Sequence, residues 1–192
     1  MKVKVKFFEM TASFYEKIHF STKQRTVLFF ENQKFFKPTD FVLDLAGGTG
    51  RIAQTLVGKV KEITVVDASQ KMLNQCKNKI GVNCVFGLAE QIPFPDSYFD
   101  KIIIIDAFHH IQDREKAILE IKRVLKSDGK ILIEEVNPKR IFGYLLKVAE
   151  KFLAMGSTFY SLPELKKLFI KFDLKVEAEK FENSFYNLII KK

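Results

Sequence analysis

The stretch Val42-Leu-Asp-Leu-Ala-Gly-Gly-Thr-Gly50 restricts the fold more than any other part of the chain. An apolar run of this length, passing into glycines and then a helix-like pattern, is how a buried parallel strand feeds a nucleotide-binding loop. Gly47, Gly48 and Gly50 let the backbone bend tightly and let a ligand approach with no Cβ in the way. Asp44 sets a carboxylate on the strand itself, just below the loop. A pyrophosphate would be repelled there and a cationic ligand held. That argues against NAD and for S-adenosylmethionine, which has a sulfonium, an ammonium and no phosphate.

A chain of 192 residues suits one domain with a real core. The longest aliphatic run, Ile102–Ile105, is far short of the roughly 20 residues of a membrane span. The segment Met1–Glu9 holds no apolar core of signal-peptide length, so the cytoplasm is the expected location. The net charge of +9 invites a nucleic-acid reading. With 27 Lys spread along the chain and only 5 Arg, a generic lysine-coated surface is favoured, because Arg suits bidentate phosphate and base contacts. Cys76 and Cys84 have no metal-ligand or redox spacing and are expected to be reduced, excluding a zinc or disulfide scaffold.

Apolar positions in 11–36 predict one or two amphipathic helices after a short N-terminal arm, ending before Pro38. Strand Phe41–Ala46, the glycine loop and a helix over Arg51–Val57 come next, then strand Glu62–Asp67 and a helix Ser69–Ile80 capped by Ser69. Asn83–Phe86 is a short strand, and Tyr98–Ile105 reads as a strand covered on both faces. Helix Arg114–Leu125 is apolar at Ala117, Ile118, Ile121, Val124 and Leu125, with Gly129 closing the turn before strand Lys130–Val136. A basic amphipathic region (Arg140–Met155), helix Pro163–Phe172 and a hairpin (Leu174–Lys180, Ser184–Ile190) complete the chain. The expected class is α/β: a Rossmann-like, mostly parallel seven-stranded sheet, helices on both faces and a C-terminal antiparallel hairpin. A single domain divides into 1–36, a cofactor-binding core over 40–136, a covering helix in 137–162 and the C-terminal helix and hairpin over 163–192.

Gly48-Thr-Gly50-Arg-Ile-Ala53 also satisfies a dinucleotide fingerprint, and Asp67 ends the second strand where a carboxylate accepts both ribose hydroxyls. Those features indicate a nucleoside without choosing which. The residues that follow choose. Val42–Ala53, Val65–Leu73, Gly87–Phe94, Phe99-Asp100, Phe108–Ile111 and Arg123–Gly129 occur in register, and this resembles a class I S-adenosylmethionine-dependent methyltransferase. Among these it is most similar to the ubiquinone/menaquinone biosynthesis C-methyltransferases, over roughly 40–136.

The resemblance implies a site. Asp44 bears on the methionine ammonium, and Ala46, Gly47, Gly48 and Gly50 lie against methionine and ribose. Asp67 takes the ribose hydroxyls beside Ala68, and Met72 packs near the adenine. Ala89 offers its backbone to the adenine edge with Glu90 alongside, and Asp106 sits near the methionine end. Two positions depart from the common pattern: Ala46 stands for the first loop glycine, as in the quinone subgroup, and Leu88 replaces a polar adenine partner.

His109 and His110 follow the fourth strand on the ligand-binding rim. Either serves as a general base, or a histidine there caps and packs; as neighbours they are expected to project apart and to make a poor metal site. Glu134 and Glu135 end the fifth strand, one toward the cleft and one away; either orients substrate or, as favoured, the pair is solvated. Arg140–Met155 covers a greasy substrate, touches a membrane surface, or packs as a lid or dimer contact. A homodimer is left open and no metal is expected.

The function implied is methyl transfer to a small, aromatic or apolar acceptor by in-line displacement at the sulfonium methyl, leaving S-adenosylhomocysteine. Holding a nucleophile in line can contribute on the order of 7–11 kcal/mol. The alternatives are an RNA-modifying methyltransferase and a non-catalytic S-adenosylmethionine-binding regulatory protein. Against the first, Asp106-Ala-Phe-His109 is not the Asn/Asp-Pro-Pro-aromatic signature of exocyclic amino-group methylation.

Overall fold

Ile102, Ile103 and Ile104 have no exposed surface, and this places their strand at the centre of the molecule. Consecutive side chains on a strand alternate between faces. Ile102 and Ile104 join one core, while Ile103 and Ile105 join a second on the other side of the sheet. Burying one such side chain contributes about 1.5–3 kcal/mol, so a four-isoleucine run is stable only as a strand covered twice.

The computed structural model describes residues 34–152, 156–182 and 184–192. The strands are β1 (Phe41–Leu45), β2 (Glu62–Asp67), β3 (Asn83–Phe86), β4 (Phe99–Ile105), β5 (Leu125–Val136), β6 (Lys175–Glu182) and β7 (Phe185–Lys191). The helices are α1 (Gln70–Cys76), α2 (Arg114–Val124), α3 (Ile141–Phe152) and α4 (Leu162–Ile170). The sheet runs β3-β2-β1-β4-β5-β7-β6, with β7 antiparallel to both of its neighbours and every other pairing parallel. This is the Rossmann-like sheet with a terminal hairpin read from the sequence. The arm and helices expected before residue 34 lie outside the described residues. No described helix is long and apolar enough to cross a membrane.

Capping chemistry sets the helix starts. Ser69 accepts from the Met72 amide at 3.3 Å and Asp113 from the Lys116 amide at 3.0 Å. Glu164 closes a capping box on Ser161, accepting from its amide at 2.7 Å. On α2 the buried residues are Ala117, Ile118, Ile121 and Val124, the predicted stripe.

Three local expectations are corrected. The helix over Arg51–Val57 is only a short 3-10 turn, Ala53–Leu56. There the Thr55 hydroxyl donates to the Ile52 carbonyl at 2.7 Å, and the Thr55 amide uses the same acceptor, so the tighter turn is satisfied locally. Gly129 closes no turn: α2 passes at Leu125 directly into β5, and a Cβ on Gly129 would sit 2.6 Å from Leu125 Cδ1.

The third concerns the cysteines. Cys76 ends α1, the chain turns back into β3, and Cys84 arrives with its Cα 6.1 Å from that of Cys76, the two sulfurs forming a disulfide. A separation of eight residues suggested no pairing because only the helix-to-strand reversal brings the positions together. Closing so short a loop should stabilise the fold by about 2–3 kcal/mol. Cys84→Ala should lower the urea midpoint accordingly under non-reducing conditions; an unchanged midpoint would show that the thiols are not linked.

Candidate active site

β1 is flanked by β2 on one side and β4 on the other, so the chain winds in opposite directions from this point and a crevice opens at the carboxyl ends of the strands. The crevice holds a cavity of about 350 Å³. Ala46 and Gly48 line it from the loop after β1, Asp67, Ala68 and Met72 from the β2–α1 segment. Ala89 and Glu90 follow β3, and Asp106 and His110 follow β4. Asp44, Gly47, Gly50 and His109 do not line it.

Asp44 is 1% exposed, and its Oδ2 has no hydrogen-bond partner among the described residues. Burial raises its pKa to about 7, Asp67 adding to the rise while Arg51 and the Ala53 amide oppose it. Gly47 is required by this carboxyl rather than by its own conformation: a Cβ there would lie 2.5 Å from Asp44 Cγ. Ala46, in place of a glycine, takes φ +56, a left-handed conformation that a Cβ disfavours by roughly 1–2 kcal/mol. Asp106 has the same strain at φ +53, and burial raises its pKa to about 6, with Glu135 and Glu134 adding to the rise and His109 opposing it.

Asp67 joins two elements. One carboxylate oxygen accepts from the Gly48 amide at 2.9 Å and the other from the Ser69 amide at 2.8 Å. Burial raises its pKa, opposed by those two bonds and one from Ala68. Each oxygen retains a further lone pair for a diol. Glu90 accepts from the Gln112 and Asp113 amides, both at 3.2 Å, and so links the β3 loop to the segment before α2. Arg123 holds the rest of that loop, donating to the carbonyls of Ile92 and Phe94 and to the carboxylates of Asp96 and Glu120.

The two histidines have different surroundings. His109 is 2% exposed, stacks on Phe159 with ring centroids 4.5 Å apart, and places Nδ1 2.6 Å from Glu135 Oε2. Burial alone would lower its pKa; Glu135, Glu150 and Asp106 outweigh that and raise it to about 10. Glu135 Oε1 accepts from the Ala107 and Phe108 amides at 3.1 and 2.7 Å. His110 borders the cavity, with Nδ1 3.0 Å from Ser157 Oγ. The expectation that the rings project apart is corrected: their centroids lie 3.9 Å apart, because the turn Phe108–His110 is 3-10 rather than extended. Glu134 and Glu135 are not solvated, being 0% and 3% exposed. β7 covers the outer edge of β5, a pairing that local sequence does not announce.

Residues 43–133 match the family described as methyltransferase domain. Those residues form a methyltransferase domain of that family. The chain is 34% identical to the ubiquinone/menaquinone biosynthesis C-methyltransferase UbiE of Serratia proteamaculans over 140 residues, 68% of this chain. That alignment takes in 53% of the relative, so the chain spans about half the length of the curated relatives it matches. Two solved structures show the same fold. A chain from the solved complex of the Haloferax volcanii Trm112 methyltransferase activator with its partner superposes with a TM-score of 0.84 at 15% identity, covering 96% of each chain. A Thermotoga maritima protein described as a SAM-dependent methyltransferase gives 0.78 at 23%, covering 96% of this chain and 98% of that one.

Proposed function

We propose that the chain binds S-adenosylmethionine in this cavity and transfers its methyl group to a carbon of a small, aromatic, quinone-like acceptor. The observation carrying the cofactor is the set of buried carboxylates Asp44, Asp67 and Asp106 around one glycine turn. They suit a cationic nucleoside and would repel a pyrophosphate. The orphaned Oδ2 of Asp44 fits an ammonium partner, and the residual lone pairs of Asp67 fit ribose hydroxyls. The acceptor class rests on the named activity of relatives of which this chain spans about half the length. Single-domain organisation, with α3 over the acceptor, belongs to the same proposal.

When bound, S-adenosylmethionine supplies a methyl group already activated by its sulfonium. The chain's residues position and shield. Asp44 and Asp106 neutralise positive charge at the methionine end, Asp67 holds the ribose, and Leu88 with Met72 gives the adenine apolar walls. His110 is the histidine that borders the cavity and the candidate to accept a proton from an acceptor carbon or hydroxyl. His109, buried and held by Glu135, positions the turn.

Calorimetric titration with S-adenosylhomocysteine, followed by turnover of methyl-labelled S-adenosylmethionine with a quinol acceptor, tests both halves. Binding with labelled product is expected. Absence of binding would overturn the cofactor; binding without product from any quinol would overturn the acceptor class.

A further inference from the structure

At the edge of the cavity, two neighbouring histidines meet a carboxylate from the distant helix α3. His109 Nε2 lies 3.7 Å from Glu150 Oε1, and His110 Nδ1 lies 3.9 Å from Glu150 Oε2. One donor atom from each residue falls within 4.8 Å of the others. We propose that His109, His110 and Glu150 bind a single divalent cation of the zinc class, a site independent of which acceptor the cleft takes.

The spacing is the first argument. At 3.7 and 3.9 Å the pairs are beyond hydrogen-bond length. Two ligands on one tetrahedral ion, each about 2.1 Å from it, are about 3.4 Å apart. The two histidine–carboxylate distances exceed that spacing by only a few tenths of an ångström, and the three donors, all within 4.8 Å of one another, close to it by side-chain rotation of about 1 Å.

The second is the orientation of His109. Its Nδ1 is engaged by Glu135 at 2.6 Å, and Glu135 is itself fixed by the Ala107 and Phe108 amides. A carboxylate on one imidazole nitrogen turns the other outward as a ligand and increases its basicity, the usual support behind a metal-bound histidine. Here the outward nitrogen faces Glu150.

The third is Glu150. It is 7% exposed on α3, and its Oε2 has no hydrogen-bond partner among the described residues. A buried carboxylate oxygen without a donor is unfavourable, and a cation satisfies it. Two imidazoles and one carboxylate are the donors of zinc sites that keep a fourth position open, and Ser157 Oγ stands 3.0 Å from His110 Nδ1 at that edge. A cation on Nδ1 of His110 places the hydrogen on Nε2, so metal loading converts His110 from proton acceptor to hydrogen-bond donor.

The test uses the full chain, freed of metal by a chelator and titrated with Zn²⁺ alone by calorimetry, with Co²⁺ absorption as the spectroscopic signature of tetrahedral coordination. One ion per chain is expected. Glu150→Gln and His110→Ala should each weaken it by a hundredfold or more, and Glu135→Gln by about 10–100-fold. Unfolding midpoints and a titration of the same samples with S-adenosylhomocysteine separate loss of metal from loss of fold or cofactor. A parent chain that binds no stoichiometric zinc, or binding untouched by both Glu150→Gln and His110→Ala, would overturn the site and leave His109 as a buried ion pair with Glu135.

Discussion

Asp67→Ala is expected to reduce affinity for S-adenosylhomocysteine at least a hundredfold, the largest single loss in the molecule. Hydrogen bonds to a charged group are worth about 1.5–3 kcal/mol each, and a hundredfold is about 2.7 kcal/mol, less than two ribose hydroxyls lose together. The substitution also removes the acceptor for the Gly48 and Ser69 amides, loosening the glycine turn against the start of α1. Asp67→Asn separates the two effects. It retains one carbonyl acceptor and the side-chain shape, so calorimetry should place it between the parent and Asp67→Ala. Equal affinity for all three would remove Asp67 from the ribose site.

The second large effect is a pH dependence from Asp44. Its pKa in the free protein is about 7, against an ordinary value of 3.8. Below pH 7 the carboxyl is mostly protonated, and binding an ammonium beside it requires that proton to leave. Affinity for S-adenosylhomocysteine, which keeps the ammonium, should therefore fall about fivefold as pH drops from 7 to 6, approach tenfold per unit below that, and level off above about pH 8. Calorimetry in two buffers of different ionisation enthalpy should detect the released proton. Folding of the free protein follows the opposite sign. Because the native state holds the proton more tightly than the unfolded chain, stability from this group declines as pH rises from about 4 to 7. Asp44→Asn should flatten both trends and bind more weakly than the parent at pH 8. A parent profile already flat between pH 6 and 8 would show that Asp44 is ionised without ligand.

Much of this was legible in the residues. The apolar run into glycines at Val42–Gly50, the four isoleucines of β4, the stripe on α2 and the terminal hairpin are local patterns whose periods match the elements they form. The order of elements then places the loops after β1, β2, β3 and β4 on one rim, where Gly48, Asp67, Ala89 and Asp106 line the same cavity. Short-range competition was less legible: Thr55 satisfies its own turn, and Gly129 is needed for space beside Leu125 rather than to reverse the chain.

By itself, then, the chain's order of residues determined the parallel sheet, the cofactor crevice and the carboxylates that suit a cation, because alternation, capping and glycine turns act over a few residues. Tertiary structure alone decided the Cys76–Cys84 bond, the burial of Glu134 and Glu135, and the meeting of His109 and His110 with Glu150. His110 reaches Ser157 across 47 residues and His109 reaches Glu135 across 26. No periodicity spans such distances; only the pairing of β5 with β4, and the approach of α3 and the segment after it to the turn beyond β4, bring those groups together.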